Sequence, residues 1–197
     1  MAADTLTPRQ REIVDAAIRL ISEHSIQELT IKKLSARIGV TEAALYRHFP
    51  SKLDILAAIL GMFRQNAVEV HTRLRDMPDD PLQQIEFLFM SHFRTFAAKP
   101  YLADVVFSEE IFQNDSRLAD TVYSIMNLNL EILQSLLEKG RLHGQVREDM
   151  RVQELTIIIV GSLRMLVTRW RLERFRSDLE LQGRAMWETL RRIITRE

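Results

Sequence analysis

TIKKLSARIGVTEAALYRHFPSKLDIL, residues 30–56, is the stretch that decides how the chain is read. Apolar residues stand at fixed offsets around Gly39: Leu34 and Ile38 before it, Val40 and Leu45 after it, with the small Ser35 four positions upstream. That spacing describes two short helices joined by a glycine turn, a helix-turn-helix. Helices that cross steeply need apolar contacts at those offsets and a small residue where the backbones approach. They also need a residue that tolerates positive φ at the turn. Thr30 and Thr41 are N-cap residue types, and Ser51 followed by Asp54 is a capping box that opens a further helix. The second helix of such a pair can enter a major groove while the first braces across the backbone. Free N–H groups at the helix starts can receive phosphate oxygens.

Charge follows the same segment. The chain has 27 basic and 27 acidic residues and no net charge. Between Lys32 and Lys52, however, Lys32, Lys33, Arg37, Arg47 and Lys52 face a single acid, Glu42. A neutral total can therefore hide a local basic patch. Lys33 and Arg37 read as a solvated helix face, Ala44 and Leu45 as packing, and Phe49 as an anchor of the third helix to the core.

Outward from this stretch the pattern is helical throughout. Thr7, Pro8 and Gln10 form a capping box with proline at the first helical position. Ile13, Ala17, Leu20 and Ile21 follow at helical spacing. After Ser51 a long helix carries Leu56, Ile59, Phe63, Ala67, Val70 and Leu74. Further helices are expected from Pro81 to about Lys99, from Tyr101 to Phe112, from Arg117 to Leu142, from Val152 to Phe175 and from Asp178 to Thr195. Asn114 to Ser116 reads as a break and cap, and Gly140 and Gly144 as the fraying end of the seventh helix. Only 6 glycines and 5 prolines occur in 197 residues, which leaves little room for hairpins. The expected fold is all-α, about nine helices in total. An N-terminal three-helix helix-turn-helix domain (residues 1–53) precedes a larger C-terminal helical bundle domain (54–197).

Residues 30–56 resemble the tetracycline-repressor (TetR/AcrR) family, most specifically through the run Leu45-Tyr-Arg-His-Phe-Pro-Ser-Lys52 beside the Gly39-Val40 turn. The resemblance implies a DNA-binding transcriptional regulator, expected to be a repressor that grips a palindromic operator as a homodimer. It implies phosphate contacts from Thr30, Tyr46, His48 and Lys52. Lys32, Glu42, Ala43 and Arg47 sit where members of the family approach base edges, with Thr41 at the helix start. The chemistry agrees: Tyr and His offer single hydrogen bonds to phosphate, Lys is a point charge, and Arg can fork onto guanine. The same residues leave open a second class, a helical adaptor or ligand-binding protein whose helix-turn-helix contacts protein instead of DNA.

The remainder of the chain suggests two partner surfaces. From Leu155 to Val167 the eighth helix is apolar nearly all round, so it is buried on more than one side. Ile158, Gly161, Ser162 and Met165, with Trp187, Leu190 and Ile194 of the ninth helix, are the expected dimer interface. In the resembled family the last two helices form a four-helix bundle with their two-fold mates. Aromatics and methionines in the middle helices suit a cavity for an apolar or amphipathic small-molecule effector. The candidates are Phe63, Phe89, Met90, Phe93, Phe107, Tyr123 and Met126, with Arg164 as a partner for a ligand carboxylate. Arg169, Arg171, Arg174 and Arg176 are assigned to the end of the eighth helix, where cations favour the dipole.

Several classes are excluded or unsupported. Cysteine is absent, which removes disulfides, thiolate metal sites and cysteine nucleophiles. No Gly-rich phosphate loop, no Gly-x-Ser-x-Gly and no Glu-x-x-His is present, and the five histidines are scattered. Neither an enzyme, nor a metal, nor a cofactor is expected. The N-terminus has no signal pattern and the most apolar stretch is too short to span a bilayer, so a cytoplasmic protein without membrane contact is expected.

Overall fold

The computed structural model describes residues 6–107 and 116–195. Nine helices lie among the described residues: α1 (Pro8–Glu23), α2 (Ile31–Ile38), α3 (Glu42–Tyr46), α4 (Lys52–Arg75), α5 (Pro81–Ala98), α6 (Pro100–Val106), α7 (Ser116–Leu142), α8 (Val152–Leu172) and α9 (Leu179–Ile194). No strand occurs among them. The cap chemistry sets most of the starts. Thr7, Thr30, Thr41, Asp80 and Asp178 each accept a backbone N–H from the first turn of the helix they precede. Ser51 does the same for α4, taking the Asp54 amide at 3.3 Å while its hydroxyl donates to the Asp54 carboxylate at 2.6 Å. The part of the sixth helix expected beyond Phe107, and most of the Asn114–Ser116 break, lie outside the described residues.

Contacts divide the chain into two compact units, Met1–Asn66 with Pro100–Ser124, and Ala67–Lys99 with Ile125–Glu197. The helix-turn-helix shares its unit with the first part of α4, with α6 and with the start of α7. The apolar stripe of α1 (Ile13, Val14, Ala17, Leu20, Ile21) is fully buried in this unit, as are Leu34, Leu45, Ile55, Leu56, Ile59 and Leu102. α1 packs on α2 and on α6, and α2 on α3.

In the second unit α5 packs on α8 and α9. Phe93 is fully buried and lies edge-on to Phe89, with ring centroids 4.9 Å apart. Phe89 in turn faces Trp187 of α9 at 6.0 Å. The approach is close because α9 presents Gly183 there: a Cβ at that position would lie 2.6 Å from Phe93 Cδ2. Gly140 has a similar role. It is buried within α7 against Val146 rather than fraying the helix, and the turn after the helix has its positive φ at Gly144.

α8 ends at Leu172, three residues before the expected Phe175. Arg174 and Phe175 both adopt positive φ, 55° and 60°, which stops the helix. The Phe175 ring then folds back onto Trp170 at 4.6 Å. Arg174 and Arg176 consequently lie beyond the helix and cannot complement its last turn, whereas Arg169 pairs with Glu173 at 2.7 Å.

Candidate nucleic-acid interface

The turn between α2 and α3 is built as the spacing requires. Gly39 caps α2 in the left-handed region at φ 69°, ψ 35°. Leu34, Ser35 and Leu45 are buried beneath it. The exit from α3 is held by Phe49, which is buried, and by Gln10 of α1, whose Nε2 donates to the His48 carbonyl at 3.3 Å. A braced pair of helices of this kind presents its outer residues in a fixed arrangement.

Those outer residues sort by charge compensation. Arg37 forks onto Glu23 of α1, with one bond of 2.6 Å, and Lys33 pairs with Glu28. The Arg37 fork holds the Glu23 carboxyl below the ordinary carboxylate value. Two of the five cations between Lys32 and Lys52 are thus neutralised by local acids. Lys32 and Arg47 are exposed, and among the described residues no carboxylate pairs with either. Thr30, Thr41, Glu42, Ala43 and Tyr46 are exposed as well, Tyr46 at 46% although it is a large ring. His48 is half-buried, in the turn after α3, and Arg47 stands at the helix C-cap. Lys52 is also half-buried, its Nζ donating to the Ile26 carbonyl at 3.4 Å. Thr30 and Thr41 already use their hydroxyls as caps, accepting from Lys33 N and Ala44 N.

The residues expected to bind an effector fall in both units and differ in exposure. Phe63, Phe89, Met90 and Phe93 are buried, while Tyr123 and Met126 are exposed at 61% and 40%. Phe63, Phe107 and Tyr123 belong to the first unit, and Phe89, Met90, Phe93, Met126 and Arg164 to the second. The α5 rings fill the core against α9 because Gly183 leaves them room there. A cavity of about 770 Å³ in the second unit has a different lining. Its apolar walls are Val68, Leu74, Met77, Leu128, Ile132 and Leu136, and its polar residues include His71, Arg75, Asp79 and Lys139. His71 Nε2 lies 3.3 Å from Asn129 Oδ1, and burial lowers the pKa of this imidazole despite that contact. Of the α7 lining, Ile132 and Leu136 stand at helical spacing in the sequence, and nothing in that pattern separates a core wall from a cavity wall.

The expected dimer residues also divide. Gly161 and Met165 are exposed and Ile158 and Ser162 half-buried, but Trp187, Leu190 and Ile194 are buried in the core of their own unit. Those three are therefore core residues, because α9 turns this face towards α5 and α8. Sequence reading missed Ile157, Leu172 and Leu181, which are exposed at 70%, 81% and 63%. With Met165, Ile157 and Leu172 lie on one face of α8 at helical spacing.

The fold and the uncompensated basic face define a helix-turn-helix transcription regulator. Comparison with known proteins agrees. Residues 13–59 match the family model described as bacterial regulatory proteins, tetR family, and residues 62–192 match that of the YsiA-like protein C-terminal region. The chain belongs to the TetR family. It is 24% identical to the fatty acid metabolism regulator protein of Bacillus subtilis over 93% of this chain and 94% of that one. It is 28% identical to the nucleoid occlusion factor SlmA of Vibrio cholerae, over 85% and 88% of the two chains. Among solved structures, the fatty acid degradation regulator FadR of Bacillus halodurans superposes with a TM-score of 0.80 at 23% identity, covering 96% of this chain and 97% of the other. FadR of Bacillus subtilis in complex with stearoyl-CoA does so with a TM-score of 0.77 at 24% identity, covering 93% and 98%. The Bacillus relatives are named as regulators. No described helix is long and apolar enough to cross a membrane.

Proposed function

We propose that the protein is a ligand-responsive repressor that binds a palindromic operator as a homodimer and is released by a small apolar or amphipathic effector. The observation that carries this reading is the selective neutralisation of cations on the helix-turn-helix. Lys33 and Arg37 are quenched by Glu28 and Glu23, while Lys32 and Arg47 remain exposed without a carboxylate beside the exposed Tyr46. In this reading Thr30, Tyr46, His48 and Lys52 meet phosphates. Lys32, Thr41, Glu42, Ala43 and Arg47 face base edges, and residues 1–53 act as the reading head for the effector and dimer domain, 54–197. Lys52 exchanges its backbone carbonyl for a phosphate when DNA arrives.

Two reading heads related by a two-fold axis match an inverted repeat. The exposed stripe of Ile157, Gly161, Met165 and Leu172, with Leu181 of α9, supports a dimer through the last two helices. A DNA target places the protein in the cytoplasm. An amphipathic effector is supported by the Bacillus subtilis relative whose structure holds stearoyl-CoA. The effector must bind the free and operator-bound conformations with different affinity, since otherwise no equilibrium moves.

Selection of bound duplexes from a random pool tests the reading. Enrichment of an inverted repeat with two half-sites is the expected result. Failure to enrich any motif, or a motif without two-fold symmetry, overturns it.

A further inference from the structure

We propose that the cavity formed by the end of α4, the loop after it and α7 is the effector site, and that it takes an anionic amphiphile whose head group displaces Asp79 from Lys139. The proposal rests on the effector reading above and gives it a place and a ligand chemistry.

The apolar part comes from two helix faces. Leu128, Ile132, Leu136 and Lys139 recur at helical spacing on α7, so one face carries three aliphatic side chains and ends in a cation. From Leu128 to Lys139 that wall runs roughly 16 Å at the helical rise. Val68, His71, Thr72 and Arg75 make the matching face of α4. Val68 and Leu128 are exposed at 44% and 37%, an apolar surface that a monomer leaves to water unless something covers it.

The polar part is cationic at one end. Arg75 and Lys139 both line the cavity, and among the described residues Arg75 is in no ion pair. Lys139 is paired with Asp79, which lies in the loop between α4 and α5 and is 66% exposed. An ion pair this open to water has little net strength. A carboxylate or phosphate that brings an apolar chain with it can therefore take the place of Asp79 at small cost. The chain supplies affinity by covering Val68, Leu128 and Ile132, and the head group supplies selection. Exchange at Lys139 frees the loop that ends in Asp80, the cap of α5, so occupancy of the cavity is felt at the start of a core helix.

The test is calorimetric titration of the full-length protein, without DNA, with dodecanoate, dodecanoyl-CoA and dodecanol. Dodecanoate and the CoA thioester distinguish a free acid from a thioester carrying phosphates, and the alcohol shares only the chain. At least one anionic compound is expected to bind about ten-fold more tightly than dodecanol. Lys139→Gln should weaken that anion about ten-fold and leave dodecanol unchanged. Asp79→Asn should tighten the anion several-fold, because its competitor for Lys139 is gone. Ile132→Trp, which fills the cavity, should abolish binding of all three.

Binding of the alcohol as tight as that of the anions overturns the proposal. So do equal effects of Lys139→Gln and Asp79→Asn, binding that survives Ile132→Trp, or no binding of any of the three. Operator release, read separately, distinguishes the two layers. An anion that binds as described but leaves the operator complex intact defeats the effector reading and spares the site. Release by an anion that persists in Ile132→Trp defeats the site and spares the effector reading.

Discussion

Gly183→Ala sets two known effects against each other. Alanine favours a helix interior over glycine by about 1 kcal/mol, so propensity alone predicts a more stable protein. The packing argues otherwise. The new methyl would sit 2.6 Å from Phe93 Cδ2 and 2.9 Å from Cγ, whereas ordinary contact begins near 3.4 Å. Phe93 has no free space to retreat into, being fully buried and edge-on to Phe89, which itself faces Trp187. Forcing one methyl into such a core costs about 1–3 kcal/mol, and the crowding here belongs near the upper end. After the propensity gain, a net loss of about 1–2 kcal/mol remains, a fall in Tm of roughly 2–8 °C for a chain of this size. The assay is thermal and urea unfolding at one fixed protein concentration, so that any dimer contributes equally. Gly61→Ala is the control: it also lies within a helix, but its Cβ would meet nothing within 4 Å, so it should gain roughly 0.5–1 kcal/mol. The cost of Gly183→Ala should shrink in a Phe93→Leu background, where the ring is gone. A Gly183→Ala protein as stable as the parent, or gaining as Gly61→Ala does, refutes the account of how α9 seats on α5.

Other outcomes follow from single contacts. Trp170 Nε1 donates to the Ser177 carbonyl at 2.9 Å, while Trp187 Nε1 is buried without a partner; Trp170→Phe should therefore cost about 1 kcal/mol or more beyond Trp187→Phe in urea unfolding. His71 and His92 are both held below the ordinary histidine value of 6.5, in each case mainly by burial, and the bond that His92 Nδ1–H donates to the Leu88 carbonyl at 2.8 Å offsets this only in part. Both are neutral in either state above that value; as the pH falls below it the unfolded chain takes up protons first, so stability should decline until the folded values are reached. Unfolding free energies across pH 5–8 check the sign, and replacing both with Gln should flatten the decline. On the DNA face, Arg47→Ala should cost about 1–3 kcal/mol at one base position of the selected operator, whereas Arg37→Gln, which removes a cation already paired with Glu23, should leave affinity nearly unchanged. Equal losses from the two, measured by anisotropy, would remove the distinction drawn between paired and unpaired cations.

Local chemistry made much of the fold legible. Thr7, Thr30, Thr41 and Ser51 cap where a capping residue before an apolar run says they should, because the hydrogen bond is made within one turn. Gly39 is equally readable, since the turn demands a left-handed residue. Positions decided by tertiary packing were not readable. Aromatic periodicity is the same for a core and for a ligand pocket, and only the contacts of Phe89, Phe93 and Trp187 place these rings in the core. The apolar circumference of α8 says that two sides are covered, but not that Ile159 and Val167 face inward while Ile157 and Met165 face out. The end of α8 was misplaced because neither Arg174 nor Phe175 is a residue type that announces positive φ. The net charge of the helix-turn-helix was visible, yet its compensation was not, since Glu23 and Glu28 lie outside the basic segment and reach it only through the fold.

The central claim is that a symmetric pair of these helix-turn-helix units grips duplex DNA. Affinity for the selected operator, measured against salt concentration, tests it most directly. With about three or four phosphate contacts per subunit, log K should fall against log salt with a slope of about −5 to −7, and Lys52→Ala should reduce the steepness. A flat salt dependence, or no retention on duplex at low salt, would contradict the claim and favour a helix-turn-helix that binds protein.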